Sequence, residues 1–158
     1  MKRGTITSLK LAIFIIGILA LGLCIFWLPW MAGSTAEMYP AFAYLKFPVL
    51  IGMYITAIPF FVALYQSLKL LRYIESGNAF SELVVISLKH IKHCAMGIII
   101  LYIIGLFFLV SQSALHPGIA IIGLAIIFGA FIIAVFAAVL RELLRNALEM
   151  KSENDLTV

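Results

Sequence analysis

From Cys94 to Leu140 the chain runs for 47 residues without an Asp, Glu, Lys or Arg. A run of that length has nothing with which to face water, and it is twice the roughly 20 residues that a helix needs to cross a bilayer. Its one interruption is "SALHPG", Ser113 to Gly118, where Pro117 and Gly118 break helix and suit a tight hairpin. Two spans are therefore expected, 94–114 and 118–140. Two further stretches free of Asp, Glu, Lys and Arg, 11–31 and 47–68, have the same character. Hydrocarbon offers an open backbone no hydrogen-bond partner, so each span must be a helix. The expected fold class is all-α: one polytopic membrane domain over residues 1–158 with four transmembrane helices.

Composition agrees. Charged residues make up 11% of the chain and hydrophobic ones 65%, against about 25% charged in an ordinary soluble domain. A soluble enzyme, a disordered tail and a fibrous repeat are excluded. The first apolar stretch, at about 20 residues, exceeds the 7–15 of a signal-peptide core and reads as a retained span.

The few charges set the orientation. Lys2, Arg3, Lys10, Lys69, Arg72, Lys89, Lys92, Arg141, Arg145 and Lys151 fall on one side of the four spans, and Lys46 alone falls on the other. By the positive-inside rule both termini and the central loop are expected in the cytoplasm of a multi-pass protein. Trp27, Trp30, Tyr39 and Tyr44 would then form the outer aromatic belt. The formal net charge of +4 implies an affinity for the lipid bilayer and its anionic head groups. No basic cluster interleaved with aromatics points to direct nucleic-acid binding.

The polar segments lie between spans two and three and after span four. The second helix is expected to continue to Glu75, with Gly77 as a left-handed cap. Ser81 is placed to cap a further helix, with Glu82 in its first turn. Glu82, Lys89, Lys92 and His93 share one face there, and Val84, Leu88 and Ile91 another. This describes an amphipathic cytoplasmic helix on the membrane surface, running into span three. Residues 141–158 read as a charged helix end, with Arg145 and Glu149 at pairing distance, passing into a flexible tail from Lys151. Glu75, Glu82, Arg145 and Glu149 are the candidate partner-docking residues.

Inside the membrane the spans carry small and weakly polar stripes. Gly52, Thr56, Pro59, Ala63, Gln66 and Ser67 fall within roughly a 100° arc of span two. Of these, Thr56, Pro59 and Gln66 form the candidate intramembrane polar face. It serves helix packing or, with Tyr54 and Tyr102, a ligand groove. Gly123, Ala130, Ala134 and Ala137 make a similar stripe on span four, and Gly97 and Gly105 share a face of span three. Self-association into a homo-oligomer is a further expectation. The absence of an intramembrane charge argues against ion-coupled transport. His90, His93 and Cys94 have no fourth partner for a metal, no cofactor motif is present, and Ser, His and acid residues cannot meet in a triad. Catalysis is not expected.

"FPVLIGMYITAIPFFVALYQSLKLLRYIESGNAFSELVVISLKHIKHCA" (Phe47–Ala95) and "IFGAFIIAVFAAVLRELLRNALEMKSENDL" (Ile127–Leu156) resemble the DUF2975 family of uncharacterised bacterial membrane proteins, over nearly the whole chain. The resemblance implies a bacterial plasma-membrane protein and brings no catalytic residues. Its members are often encoded beside a small helix-turn-helix protein, which implies a cytoplasmic transcription regulator as partner. The expected role is a non-enzymatic membrane sensor or modulator of such a regulator. A small-molecule transport or resistance component and a membrane assembly factor are the alternatives.

Overall fold

The computed structural model describes residues 3–156. Helix α1 spans Arg3–Gly22, a π-helical turn covers Leu23–Trp27, and α2 covers Leu28–Met38. A 3-10 segment, Pro40–Leu45, leads into α3, Lys46–Glu75, followed by α4, Glu82–Ser111, and α5, Pro117–Leu156. Four helical stretches are long and apolar enough to cross a membrane: Arg3–Met38, Pro40–Glu75, Glu82–Ser111 and Pro117–Leu156. The all-helical membrane architecture is thus as expected.

Each helix is longer than its apolar part. The 30 residues of α3 and of α4 and the 40 of α5 rise about 45 and 60 Å at 1.5 Å per residue, against a hydrocarbon core of about 30 Å. The surplus lies mostly at the end where the basic residues gather, here the basic end. No Pro or Gly follows Arg141, so α5 carries helix to Leu156, past Lys151 where a tail is expected. Thr157 and Val158 lie outside the described residues, as does Lys2.

Between the first two spans the helix also outruns expectation, ending at Met38 rather than Met31. Pro40 stops it: Tyr39 is pushed to φ −127°, ψ 74°, because a residue before proline is kept out of the helical region. Pro29, in the first turn of α2, cannot bond to the carbonyl four residues back and crowds that turn. The wider π turn just before it relieves the crowding.

Two left-handed residues close the turns. Gly77, at φ 84°, ends α3 as expected, with Asn78 N–H donating to Tyr73 O at 2.8 Å and Gly77 N–H to Ile74 O at 3.2 Å. Those two bonds define a Schellman cap. Helix α4 ends the same way, through Ala114 N–H to Leu109 O at 2.9 Å and Ser113 N–H to Val110 O at 3.0 Å. There the left-handed residue is Ser113, φ 55°, not a glycine. Gly118 instead sits in the first turn of α5, its N–H held by His116 Nδ1 at 3.0 Å.

Close helix contacts follow chain order: α1 on α3, α3 on α4, α4 on α5. Helix α1 lies antiparallel along α3. Lys10 pairs with Glu75 at the basic end, Leu64 Cδ1 lies 3.7 Å from where a Gly17 Cβ would be, and Tyr54 Oη donates to Cys24 O at 2.7 Å. The α4–α5 hairpin is the closest-packed pair. Its stripe Gly123, Ala130, Ala134 and Ala137 supplies all the buried residues of α5, as the spacing predicts. Gly97 and Gly105 do not play the part expected of them, since nothing stands within 4 Å of a Cβ at either.

Candidate functional site

Four helix termini lie at the basic end, and the four docking candidates are distributed over three of the helices concerned. Glu75 closes α3 and is already engaged: its carboxylate accepts a hydrogen bond from Lys10 Nζ. That bond, with the charges of Lys10 and Arg3, holds the carboxyl below the usual carboxylate range. Glu82 opens α4 with its side chain exposed, favourably placed on the helix dipole. Ser81 stands at the N-cap position with extended backbone but makes no side-chain cap. Its hydroxyl donates instead to Asn78 O at 2.7 Å, which tightens the turn and leaves the first N–H groups of α4 to other partners.

Arg145 and Glu149 lie exposed on α5. Their spacing predicts an ion pair, and the structure does not join the two. Fully solvated side chains gain too little from such a pair to hold both rotamers. No ion pair or hydrogen bond links the four candidates to one another among the described residues.

The stretch 82–93 is not an element of its own but the first turns of α4. Its apolar positions Val84 and Leu88 are 5% and 8% exposed, so this side is covered by neighbouring helices rather than turned to the bilayer. Ile6 of α1 and Leu71 of α3 are buried as well, which places much of the small core near the basic end.

The intramembrane polar face is only partly polar in effect. Thr56 Oγ1 donates to Met53 O at 2.7 Å, and Ser67 Oγ to Ala63 O at 2.9 Å, so both hydroxyls are spent on their own helix. Gly52 is exposed, with nothing within 4 Å of a Cβ. Pro59 lies within a continuous α3. Gln66 differs: its Oε1 is shielded and has no hydrogen-bond partner. Tyr54 is engaged with Cys24 of α1.

Cys24 and Cys94 are free thiols. Among the described residues no three His, Cys, Asp or Glu side chains gather as a metal site. Two features escaped the sequence reading. One is a groove between α4 and α5 with Lys92 at its end; the other is Arg141, whose Nε is shielded without a partner. The signal for the groove is present at helical spacing, Lys92, Met96 and Ile99 on α4 facing Phe131, Val135 and Ala138 on α5.

The chain is 52% identical over 160 residues to "Uncharacterized membrane protein YoaS" of Bacillus subtilis (strain 168), covering the whole of both chains. No solved structure matches. Residues 30–158 match the family described as "Protein of unknown function (DUF2975)". The match takes in the three helices α3, α4 and α5 that carry both candidate surfaces, and the chain belongs to the DUF2975 family.

Proposed function

We propose that this chain is a non-enzymatic sensor of the bacterial plasma membrane that modulates a cytoplasmic transcription regulator of the helix-turn-helix type. The observation that carries the reading is the helical surplus at the basic end. Helix α5 continues 16 residues beyond Leu140, about 24 Å, with Arg145, Glu149 and the apolar Leu143 and Met150 all exposed. That offers a folded, amphipathic surface to a soluble partner. The ten basic residues at this end support a cytoplasmic position for it and for both termini. The partner class is supported by the family resemblance, whose members are often encoded beside a helix-turn-helix protein.

In this mechanism a change of helix packing about Pro59 shifts the basic end of α3. The turn between α3 and α4 then moves against the α5 extension, and Glu82, Arg145 and Glu149 are released or covered. Glu75 acts as the latch, through Lys10. The tagged chain, extracted in mild detergent, should bring down the regulator encoded beside it, and removal of residues 143–156 should abolish that. No association with the intact chain would overturn the reading.

A transport or resistance role is favoured by one observation, the partnerless Oε1 of Gln66. A T56A/Q66A double substitution should then abolish drug resistance or solute flux in cells.

A further inference from the structure

We propose that the groove between α4 and α5 is a binding site for one anionic phospholipid of the leaflet at the basic end, with an acyl chain along the groove and the phosphate on Lys92. The groove holds about 270 Å³ and is walled by Met96, Ile99 and Ile100 of α4 and by Phe131, Val135 and Ala138 of α5. Lys92 is its only charged lining residue and stands at its basic end.

The dimensions suit one leaflet. Lys92 to Ile100 is eight residues, about 12 Å along the helix, against roughly 15 Å for half of a hydrocarbon core. The cation is therefore at head-group depth while the walls reach toward the midplane. Alanine is what lets the groove exist. Ala134 forms part of its lining and Ala138 its wall, where larger side chains would fill the space.

Charge complementarity selects the head group. Lys89 lies one turn nearer water on the same side of α4 and is exposed. Neither lysine is in an ion pair among the described residues. Arg141, on the turn of α5 that follows Ala138, has its Nε shielded and without a partner. Arg141 is not a lining residue of the groove, but its guanidinium adds positive charge one turn from the site, and a guanidinium is a strong partner for phosphate. Basic pockets between membrane helices at this depth recognise anionic head groups. Lipid binding in the groove needs no regulator.

The test is native mass spectrometry of the full chain in detergent, titrated with phosphatidylglycerol or phosphatidylcholine of identical acyl chains. Phosphatidylglycerol should be retained preferentially. Lys92→Gln should weaken its retention about fivefold, while Lys92→Arg should preserve it. Lys69→Gln, which alters a lysine lying over Tyr65 of α3, should leave it unchanged. Ala138→Phe, which fills the groove but keeps the charges, should reduce retention of both lipids. Should that variant fail to fold, the Gln and Arg pair at position 92 decides alone. Equal retention of the two lipids, an unaltered Lys92→Gln variant, a lipid-free dimer closing the groove, or displacement by glycerol 3-phosphate at equal concentration would each overturn the proposal.

Discussion

At Gly123 α5 packs closely on Leu106 of α4, and that neighbour sets the cost of filling the position. A Cβ built there lies 3.0 Å from Leu106 Cδ2, 3.3 Å from Cδ1 and 3.4 Å from Cγ. All three atoms belong to the end of a flexible side chain, so one methyl group needs a shift of only a few tenths of an ångström. Gly123→Ala should therefore be near neutral: the gain in helix propensity, about 1 kcal/mol, offsets that displacement. Gly123→Ile adds three further carbons to the same space. Leu106 cannot yield to all of them without separating the helices, at a cost of about 1–3 kcal/mol. Since lipid is as apolar as leucine, the loss is one of packing and not of burial. Unfolding of the purified chain in mixed detergent and dodecyl sulfate, followed by circular dichroism, measures it. Leu106→Ala should relieve the Gly123→Ile variant, giving a coupling of about 0.5–3 kcal/mol in a double-mutant cycle. Gly105→Ile, with nothing within 4 Å of a Cβ at that position, should cost far less. An unaffected Gly123→Ile variant, or strictly additive effects with Leu106→Ala, would refute the packing argument.

Three other outcomes are expected. The Lys10–Glu75 contact lowers the carboxyl's affinity for protons from its ordinary value of 4.5. Its contribution is therefore full above that pH and is lost as pH falls below it, through the lowered value. The thermal stability advantage of the native chain over Lys10→Gln in detergent should fade on acidification through that range and also with added salt. Ser113→Gly should raise stability by about 1 kcal/mol, because a left-handed L-residue is strained there, and Gly77→Ala should lower it by a similar amount, both read in the same unfolding assay. An alkaline phosphatase reporter, active only outside the cytoplasm, should be silent when fused after Ser81 and active when fused after Glu37.

What could be seen in advance depended on how local the cause was. The four spans follow from where charge is missing, a property of each segment by itself. The packed side of α5 was legible because Gly123, Ala130, Ala134 and Ala137 recur at helical spacing, and all four are buried. Gly97 and Gly105 satisfy the same pattern and meet nothing, since a stripe cannot say which neighbour covers it. The same limit applied at Val84 and Leu88. Their amphipathic spacing suits a bilayer surface and a helix neighbour equally, and the neighbours took them. The π turn at Leu23–Trp27 and the engagement of Tyr54 with Cys24 arise from Pro29 and from a residue thirty positions away. At the candidate docking surface the pairing of Glu75 with Lys10 brings together residues from distant parts of the chain, and it was invisible for that reason.

Among the described residues the close helix contacts run in chain order, α1 on α3, α3 on α4 and α4 on α5, as a row with two outer edges instead of a ring. A row encloses no lumen. A hydrophilic solute crossing beside one copy would have acyl chains along part of its route, and each polar group stripped of water against hydrocarbon costs several kcal/mol. A conduit walled on every side would require α1 of one copy to meet α5 of another, or a foreign helix to close the gap. Permeation would thus be tied to stoichiometry, whereas the proposed relay through the basic end would not be.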